Sequence, residues 1–75
     1  MTYLAYNLIM TFSDRLKELR LSKGLSQMEL SIKTGLSQSA IAKWELNKTE
    51  PTASALITLS KFFGEPVDYL LCLID

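Results

Sequence analysis

The sequence predicts an all-α fold, in which five short helices pack into a single domain. The chain of 75 residues is too short for a second hydrophobic core. From Thr11 onward, apolar residues recur at helical spacing, and a helix-starting or helix-ending residue bounds each stretch. Links of about two to six residues join these stretches, which is the usual length between helices. The apolar fraction of 48% excludes both a disordered chain and a membrane protein.

Residues 1–10 form an apolar extension ahead of the helical domain, which we expect to cover residues 11–75. Alternation puts four side chains on one face, as in a short strand: Leu4, Tyr6, Leu8 and Met10. Nothing else in the chain predicts a partner strand. The segment would therefore pair with its copy in a dimer, lie across the helices as an arm, or precede a true start at Met10. It is too short for a membrane span, which takes about 20 residues, and it lacks the basic leading region of a signal peptide. We therefore expect a cytoplasmic protein.

The first two predicted helices have capping residues at both ends. Thr11 and Asp14 have capping-box spacing ahead of the first helix, and Gly24 ends it. Ser26 opens the second helix with the same spacing to Glu29, and Gly35 ends it in a left-handed conformation. The inner faces of these two helices carry the apolar residues Phe12, Leu16, Leu19 and Leu30.

The third predicted helix has two chemically different faces. Ser37 caps its start, and Asn47 suits its end because asparagine tolerates a left-handed conformation. At about 100° per residue, one side is apolar and faces inward. That inner side carries Ala40, Ile41 and Trp44, and the outer side carries Gln38, Ser39, Ala42, Lys43 and Leu46.

Two further helices complete the predicted fold. Pro51-Thr52 starts the fourth helix, and Gly64 ends it. Pro66 occupies the first helical position of a short fifth helix that continues through Asp68. The inner sides of these helices carry Leu56, Leu59 and Phe63, followed by Leu70 and Leu71.

The outer face of the third helix has the side-chain types that contact base edges in the major groove of DNA. Glutamine can make two hydrogen bonds to adenine, serine can bond to several base edges, and alanine can pack on a thymine methyl group. Lysine can reach guanine or phosphate. Because Gln38 lies in the first turn, it projects deepest if the helix enters the groove with its N-terminus first.

The pair Ser-Gln occurs twice, at residues 26–27 and 37–38. Serine is a common N-cap, so helix initiation alone explains the repeat about equally well. Gln27, however, lies in the first turn of the second helix, where free N–H groups and the helix dipole favour a phosphate. We therefore expect Gln27 to hold the DNA backbone while Gln38 contacts bases.

Positive charge is concentrated in the same part of the chain. The formal net charge is zero, but residues 20–48 carry a local charge of +3 and the residues from 49 onward a local charge of −3. A nucleic-acid surface explains this separation, and an ordinary mixed surface is the alternative.

No group of residues predicts catalysis or metal binding. The chain has no histidine, which is the commonest general base and zinc ligand, and Cys72 is its single cysteine. We expect Cys72 to be a buried or interface thiol, and Asp14 and Glu18 to lie on a solvated helix face. The sequence therefore predicts a protein that is not an enzyme and has no cofactor.

A long stretch of the chain resembles the phage repressor and Cro family of lambda-repressor-like helix-turn-helix domains, which are XRE-type transcriptional regulators. The stretch is RLKELRLSKGLSQMELSIKTGLSQSAIAKWELNKTEPTASALITLSKFF, and the resemblance extends over about residues 11–72. Matching positions at fixed spacing are Leu16, Leu19, Arg20, Gly24, Ser26, Gln27, Leu30, Gly35, Ser37, Ile41, Trp44, Glu45 and Pro51.

This resemblance implies a five-helix fold in which residues 27–34 and 38–46 are the two helices of the motif. It implies base contacts by Gln38, Ser39, Ala42 and Lys43. It implies phosphate contacts by Gln27 and Lys48, and we expect Ser37 to contact a phosphate as well. It also implies that Arg20 and Glu45 form a buried structural salt bridge between the first and third helices.

The chain departs from the family pattern at three positions. Ser31 stands where the family usually has alanine, and Asn47 stands where glycine is common. Leu46 lies on the expected DNA side, where polar residues are more usual. It would touch a thymine methyl group or a sugar, or it would belong to a surface for protein contact.

The function we predict is sequence-specific transcriptional regulation, by a repressor that binds a near-palindromic operator as a homodimer. One recognition helix contacts only a few base pairs, so two half-sites about 34 Å apart, or a multiple of that, are expected. Double-stranded DNA and a second copy are the expected partners, with no membrane and no small-molecule ligand implied. The alternative is a protein-binding module such as an antitoxin or an anti-repressor, which the neutral charge, Leu46 and the apolar N-terminus favour.

Overall fold

The computed structural model describes residues 10–74 of the chain, and five α-helices make up this part. The helices are α1 (Phe12–Ser22), α2 (Gln27–Thr34), α3 (Gln38–Glu45), α4 (Ala53–Phe63) and α5 (Val67–Leu70). Residues 10–74 contain no strand, so the predicted all-α fold is confirmed. The alternation predicted for Leu4, Tyr6 and Leu8 lies outside the described residues. Within the described range, no helix has the length and hydropathy that a membrane crossing requires.

Side-chain hydroxyl groups begin α2, α3 and α4. The Ser26 hydroxyl accepts the N–H of Glu29 at 3.0 Å, while the Glu29 carboxylate accepts the N–H of Ser26 at 2.8 Å. This predicted capping box satisfies two N–H groups that helix geometry leaves free. Ser37 and Thr52 cap α3 and α4, each hydroxyl accepting a backbone N–H three residues later, at 2.9 and 3.2 Å. Local sequence therefore fixes where these helices begin.

The first helix begins at the predicted capping box of Thr11 and Asp14, and the last helix begins without a side-chain cap. At α1, the Asp14 carboxylate accepts from the N–H of Thr11 at 3.1 Å and from its hydroxyl at 3.2 Å. At α5, Pro66 was predicted to be the first helical residue, but it is the N-cap, and the helix begins at Val67. Proline fixes φ near a value that both positions share, so its presence alone does not distinguish them.

Each of the five helices is followed within two residues by a residue in the left-handed conformation. The angle φ is +79° at Gly35 and +70° at Gly64. After α3, Asn47 has φ of +58°, in the left-handed region that its residue type suggested. The N–H of Lys48 then donates to the carbonyl of Lys43 at 2.9 Å, which satisfies a carbonyl that the end of α3 leaves free.

Every helix supplies one side chain with no solvent exposure, and these five are Leu16, Leu30, Ile41, Leu59 and Leu70. Trp44 and Ala55 are also buried, and the ring of Phe12 meets Trp44 edge to face with centroids 6.3 Å apart. Helices this short are unstable alone, so their stability comes from this shared core. Truncating one of the five to alanine would cost about 2–5 kcal/mol.

A buried cation helps hold α5 against α1. The guanidinium of Arg15 lies over the ring of Tyr69, 3.7 Å from its centroid, and Arg15 is only 6% exposed. The carboxylate of Glu18 is 3.8 Å from Arg15 Nε, which is too long for a hydrogen bond. Cys72, expected to be a buried or interface thiol, is half-buried just beyond α5. The cation–π contact therefore links these two helices.

The capping box of α2 predicts a pH-dependent contribution to stability. The pKa of Glu29 lies below its ordinary value of 4.5 because the backbone N–H and the hydroxyl of Ser26 donate to its carboxylate. A lowered folded pKa means that this stabilisation is present above the unfolded pKa and is lost as pH falls through the folded pKa. We expect wild type to be more stable than Glu29→Gln at neutral pH and the difference to shrink below pH 4.5. Urea unfolding across this pH range measures it.

A matched control for this experiment is Glu50→Gln, which removes an exposed carboxylate outside the helix caps. It should show no comparable advantage of the wild type at neutral pH. A difference between wild type and Glu29→Gln that stays constant with pH would contradict the prediction.

The left-handed residue after α3 predicts opposite effects of two substitutions. Asn47→Gly should stabilise the protein, because glycine adopts positive φ without steric cost, whereas Asn47→Ala should destabilise it by about 1 kcal/mol. The free energy of unfolding in urea distinguishes them. Thr49→Gly, at an exposed position in the same loop, is the control and should not stabilise. A stable Asn47→Ala variant would show that the end of α3 does not require this conformation.

Candidate nucleic-acid interface

The inner face of α3 is buried and its outer face is open to solvent. Ile41 is fully buried and Trp44 is 6% exposed. The structure brings the four predicted base-contacting residues together on the outer face: Gln38, Ser39 and Lys43, which are exposed, and Ala42, which is half-buried. A small side chain between longer polar ones leaves room for the edge of a base to approach the helix.

Ser37 lies at the N-terminal end of α3, where backbone N–H groups have no partner within the helix. Its hydroxyl oxygen accepts the N–H of Ala40 at 2.9 Å. A serine hydroxyl also has one hydrogen to donate, so capping the helix leaves that donor for a phosphate oxygen. The positive end of the helix dipole favours an anion at the same place.

Gln27 is the first residue of α2, and one of its amide hydrogens is used inside the protein. Gln27 Nε2 donates to Glu45 Oε1 at 3.1 Å, and the residue is half-buried. An amide nitrogen carries two hydrogens, so the second can be donated to a phosphate. The contact with Glu45 was not predicted, because residue type and helix position gave no sign of it.

A buried ion pair joins α1 to the last residue of α3. Arg20 Nε donates to Glu45 Oε2 at 2.7 Å, and Arg20 Nη2 donates to Glu45 Oε1 at 2.8 Å. The side chains are only 9% and 4% exposed. Arg20 Nη1 donates to the carbonyl of Leu25 at 2.7 Å, which adds the turn before α2 to the network. The bonds to Glu45 raise the pKa of Arg20 above its ordinary value, so the arginine stays charged despite its burial.

A buried hydroxyl gives a second tie between α1 and α3 that was not predicted. Ser13 is 8% exposed, and its hydroxyl donates to the backbone carbonyl of Glu45 at 2.7 Å. The available sign was its position three residues before Leu16, on the inner face of α1. The C-terminal end of α3 is therefore held by both its side chain and its backbone.

The turn between α2 and α3 is held by two more hydroxyl groups. Ser31 Oγ donates to the carbonyl of Leu36 at 2.6 Å, and Thr34 Oγ1 accepts the N–H of Leu36 at 3.2 Å. Ser31 is the residue that departs from the usual alanine of the resembled family. Its hydroxyl is satisfied inside the turn, so the substitution adds a bond that alanine cannot make.

Two lysines extend the open surface at the C-terminal end of α3. Lys43 and Lys48 are exposed, and the backbone bond between them keeps their main chains close. Within residues 10–74, neither has a carboxylate within 4.0 Å. Leu46, on the same side, is 65% exposed. The surface thus combines free positive charge with one large apolar side chain.

Residues 16–70 match a family model described as helix-turn-helix, which covers the chain from the second turn of α1 to the last residue of α5. The chain is 40% identical over 62 residues to the HTH-type transcriptional activator BcrR of Enterococcus faecalis, covering 83% of this chain and 30% of BcrR. It is 38% identical over 60 residues to the SPbeta prophage-derived uncharacterized HTH-type transcriptional regulator YonR of Bacillus subtilis, covering 80% of this chain and 56% of YonR. It is 40% identical over 60 residues to the HTH-type transcriptional regulator PuuR of Escherichia coli, covering 69% of this chain and 32% of PuuR. The chain therefore spans less than two thirds of the length of these relatives.

The buried ion pair predicts that single and double substitutions differ. Arg20→Ala or Glu45→Ala leaves one buried charge without its partner, which should cost about 3–5 kcal/mol of stability. The apolar double variant Arg20→Met/Glu45→Leu should lose less than the sum of the single losses. Urea unfolding measures all three. The control Lys43→Ala, at an exposed charge, should change stability by no more than about 0.5 kcal/mol. Single losses below about 1 kcal/mol would contradict the structural role of the pair.

Proposed function

The chain belongs to the helix-turn-helix family, and from this membership we propose that it is a sequence-specific DNA-binding transcriptional regulator that acts as a homodimeric repressor on a near-palindromic operator. The DNA-binding unit of this proposal is residues 11–75. The observation that carries the proposal is the outer face of α3, where polar and small side chains are open to solvent on a helix whose inner face is buried in the core.

Base contacts are proposed for the residues of that face. Gln38 begins α3 and is exposed, so it enters the major groove first and can make two hydrogen bonds to adenine. Ser39 and Lys43 supply donors to base edges, and Ala42 lets a thymine methyl group approach. Leu46 can pack on a second methyl group or a sugar at the far end of the helix.

Phosphate contacts are proposed at both ends of α3. Ser37 retains a donor hydrogen at the N-terminal end of α3. At the C-terminal end, Gln27 bonds to Glu45 and retains a second donor hydrogen, and Lys48 supplies an exposed ammonium group. Contacts at two ends would fix the register of α3 in the groove, which bases alone do less well. Binding that depends on such contacts weakens steeply with added salt, because each contact releases counterions.

Dimerisation is proposed because one helix of this length contacts too few base pairs for a useful affinity. The eight residues of α3 are about 12 Å long, against about 34 Å for one turn of DNA. Two copies related by two-fold symmetry would place their α3 helices in successive major grooves. The operator would then have matching half-sites one helical turn apart, or a multiple of that.

Repression is proposed because it requires only that the bound dimer occupy DNA which the polymerase needs. Activation additionally requires a surface that contacts the polymerase. The relative BcrR carries the name of an activator, so the direction of regulation needs a direct test. A reporter gene fused to the promoter in the flanking DNA provides this test. For a repressor, reporter expression should rise when the regulator is deleted and fall when the regulator is supplied.

A protein-binding role is the second candidate, and the exposed side chain of Leu46 is the observation that favours it. At 65% exposure on an otherwise polar surface, Leu46 suits a partner protein as well as a thymine methyl group. Such a module would bind nucleic acid weakly and without a steep salt dependence.

The proposed DNA contacts predict that binding weakens with added salt and that Gln38 and Lys43 create a preference over random duplex. On duplex DNA flanking its own gene, fluorescence anisotropy at several salt concentrations should give steeply salt-dependent binding that is tighter than binding to random duplex. Gln38→Ala/Lys43→Ala should lose about tenfold or more of that preference, because each good base contact discriminates by about 1–3 kcal/mol.

The matched control is Lys17→Ala, an exposed lysine of α1 outside the proposed site, which should keep the preference. If neither the flanking DNA nor any duplex from a random-sequence selection is bound with a steep salt slope, the proposed function is wrong. A pull-down comparing wild type with Leu46→Ser would then test the protein-binding alternative.

A further inference from the structure

A shallow groove lies where the ends of α1, α2 and α4 approach one another. It has a volume of about 300 Å³ and is lined by Lys23, Leu25, Lys33 and Phe62. We call this site the lysine groove. Lys23 Nζ lies 5.7 Å from the centroid of the Phe62 ring. Leu25 and Phe62 are half-buried and present apolar surface between the two ammonium groups. None of the residues proposed above to contact DNA lines this groove.

Neither lysine of the groove forms an ion pair in the described part of the chain, although the charge of Lys33 contributes to lowering the pKa of Glu29. No carboxylate there lies within 4.0 Å of either ammonium group. Glu29 is one helical turn before Lys33, but its carboxylate is bonded to the N–H of Ser26. The groove is therefore complementary to an acidic side chain that stands beside an exposed apolar one.

The residues around the C-terminal end of α5 have that chemistry. Leu73 is 69% exposed and Ile74 is 49% exposed. The carbonyl of Asp68, whose side chain is exposed, accepts the N–H of Leu73 at 2.8 Å, so the acidic and apolar residues are neighbours. We call Asp68, Leu73 and Ile74 the α5 end.

The α5 end does not fill the lysine groove of its own chain. Tyr69 packs on Arg15, eight residues before Lys23 along α1, and eight helical residues span about 12 Å. Leu73 and Ile74 remain exposed in the single chain, which shows directly that no groove covers them. A second copy can supply the missing occupant, and two-fold symmetry would make the contact twice.

We propose that the α5 end of one copy binds the lysine groove of a second copy, and that this reciprocal contact joins the dimer. The inference rests on the proposed function in one respect, since it names the surfaces by which a DNA-binding dimer would form. The groove is small and its charges are exposed, so association in free solution is weak and sensitive to salt. It is strengthened when two half-sites hold both copies on one DNA.

Sedimentation equilibrium without DNA, at low salt and up to about 1 mM chain, tests the contact by reversal of charge. Lys23→Glu/Lys33→Glu and Asp68→Lys should each weaken self-association about tenfold or more, because attraction becomes repulsion at both contacts. An equimolar mixture of the two variants should associate within about threefold of wild type, since each variant's α5 end then meets a groove of opposite charge.

Two control variants make the same kinds of change elsewhere. Lys17→Glu/Lys61→Glu changes the net charge equally at exposed lysines outside both surfaces and should weaken self-association by less than about threefold. Leu73→Ser should weaken self-association, whereas Leu21→Ser, at a residue that is 56% exposed on α1, should not. Circular dichroism of each variant shows whether it is folded, and rescue in the mixture independently excludes a folding defect.

The inference is overturned if wild type stays monomeric at this concentration, or if the mixture of reversed variants does not associate. DNA binding is measured separately, so the two proposals can fail separately. Steeply salt-dependent DNA binding by a monomeric chain would end this inference and leave the proposed function standing. Charge-dependent association by a chain that binds no DNA would end the proposed function and leave this inference standing.

Discussion

The buried carboxylate of Glu45 is the point on which the arrangement of the helix-turn-helix depends. It is the last residue of α3, and it accepts hydrogen bonds from Arg20 of α1 and Gln27 of α2, while Ser13 donates to its backbone carbonyl. The apolar contacts of Ile41 and Trp44 hold α3 in the core, but such contacts are non-directional. Directional bonds at one end fix the orientation of the helix, and they set the direction in which the outer face of α3 points.

The features that local rules predict from the sequence are those that depend on near neighbours, whereas the pair of Arg20 and Glu45 was expected only from the family resemblance. The capping box of Ser26 and Glu29 and the left-handed Asn47 are local, and the inner and outer faces of α3 follow from helical period alone. The contacts of Ser13 and Gln27 with Glu45 join residues 32 and 18 positions apart. The position of Ser13 on the inner face of α1 indicates its burial, but no local rule indicates Glu45 as the partner of either residue. Base and phosphate contacts involve a partner molecule that is not part of the chain. The sequence therefore predicts which residues form the surface of the site, but not the ligand that this surface binds.

A chain with zero net charge can still have a nucleic-acid surface in this fold, because its basic and acidic residues lie in different places and serve different roles. Arg20 and Glu45 neutralise each other inside the protein and contribute no field at the surface. Lys43 and Lys48 are exposed at one end of α3 without acidic partners within the described residues. Acidic residues such as Asp68 lie on α5, outside the motif. Overall charge is therefore a poor guide to the potential that a phosphate would meet near α3.

The division of α3 into an inner and an outer face has a consequence for evolution. Ile41 and Trp44 belong to the core, whereas Gln38, Ser39 and Lys43 are exposed and do not. Substitutions at exposed positions usually change stability by no more than about 0.5 kcal/mol. A duplicated copy of the gene could therefore explore new outer residues at little cost to folding. The same scaffold could then acquire new target sequences one side chain at a time while its helix packing stays unchanged.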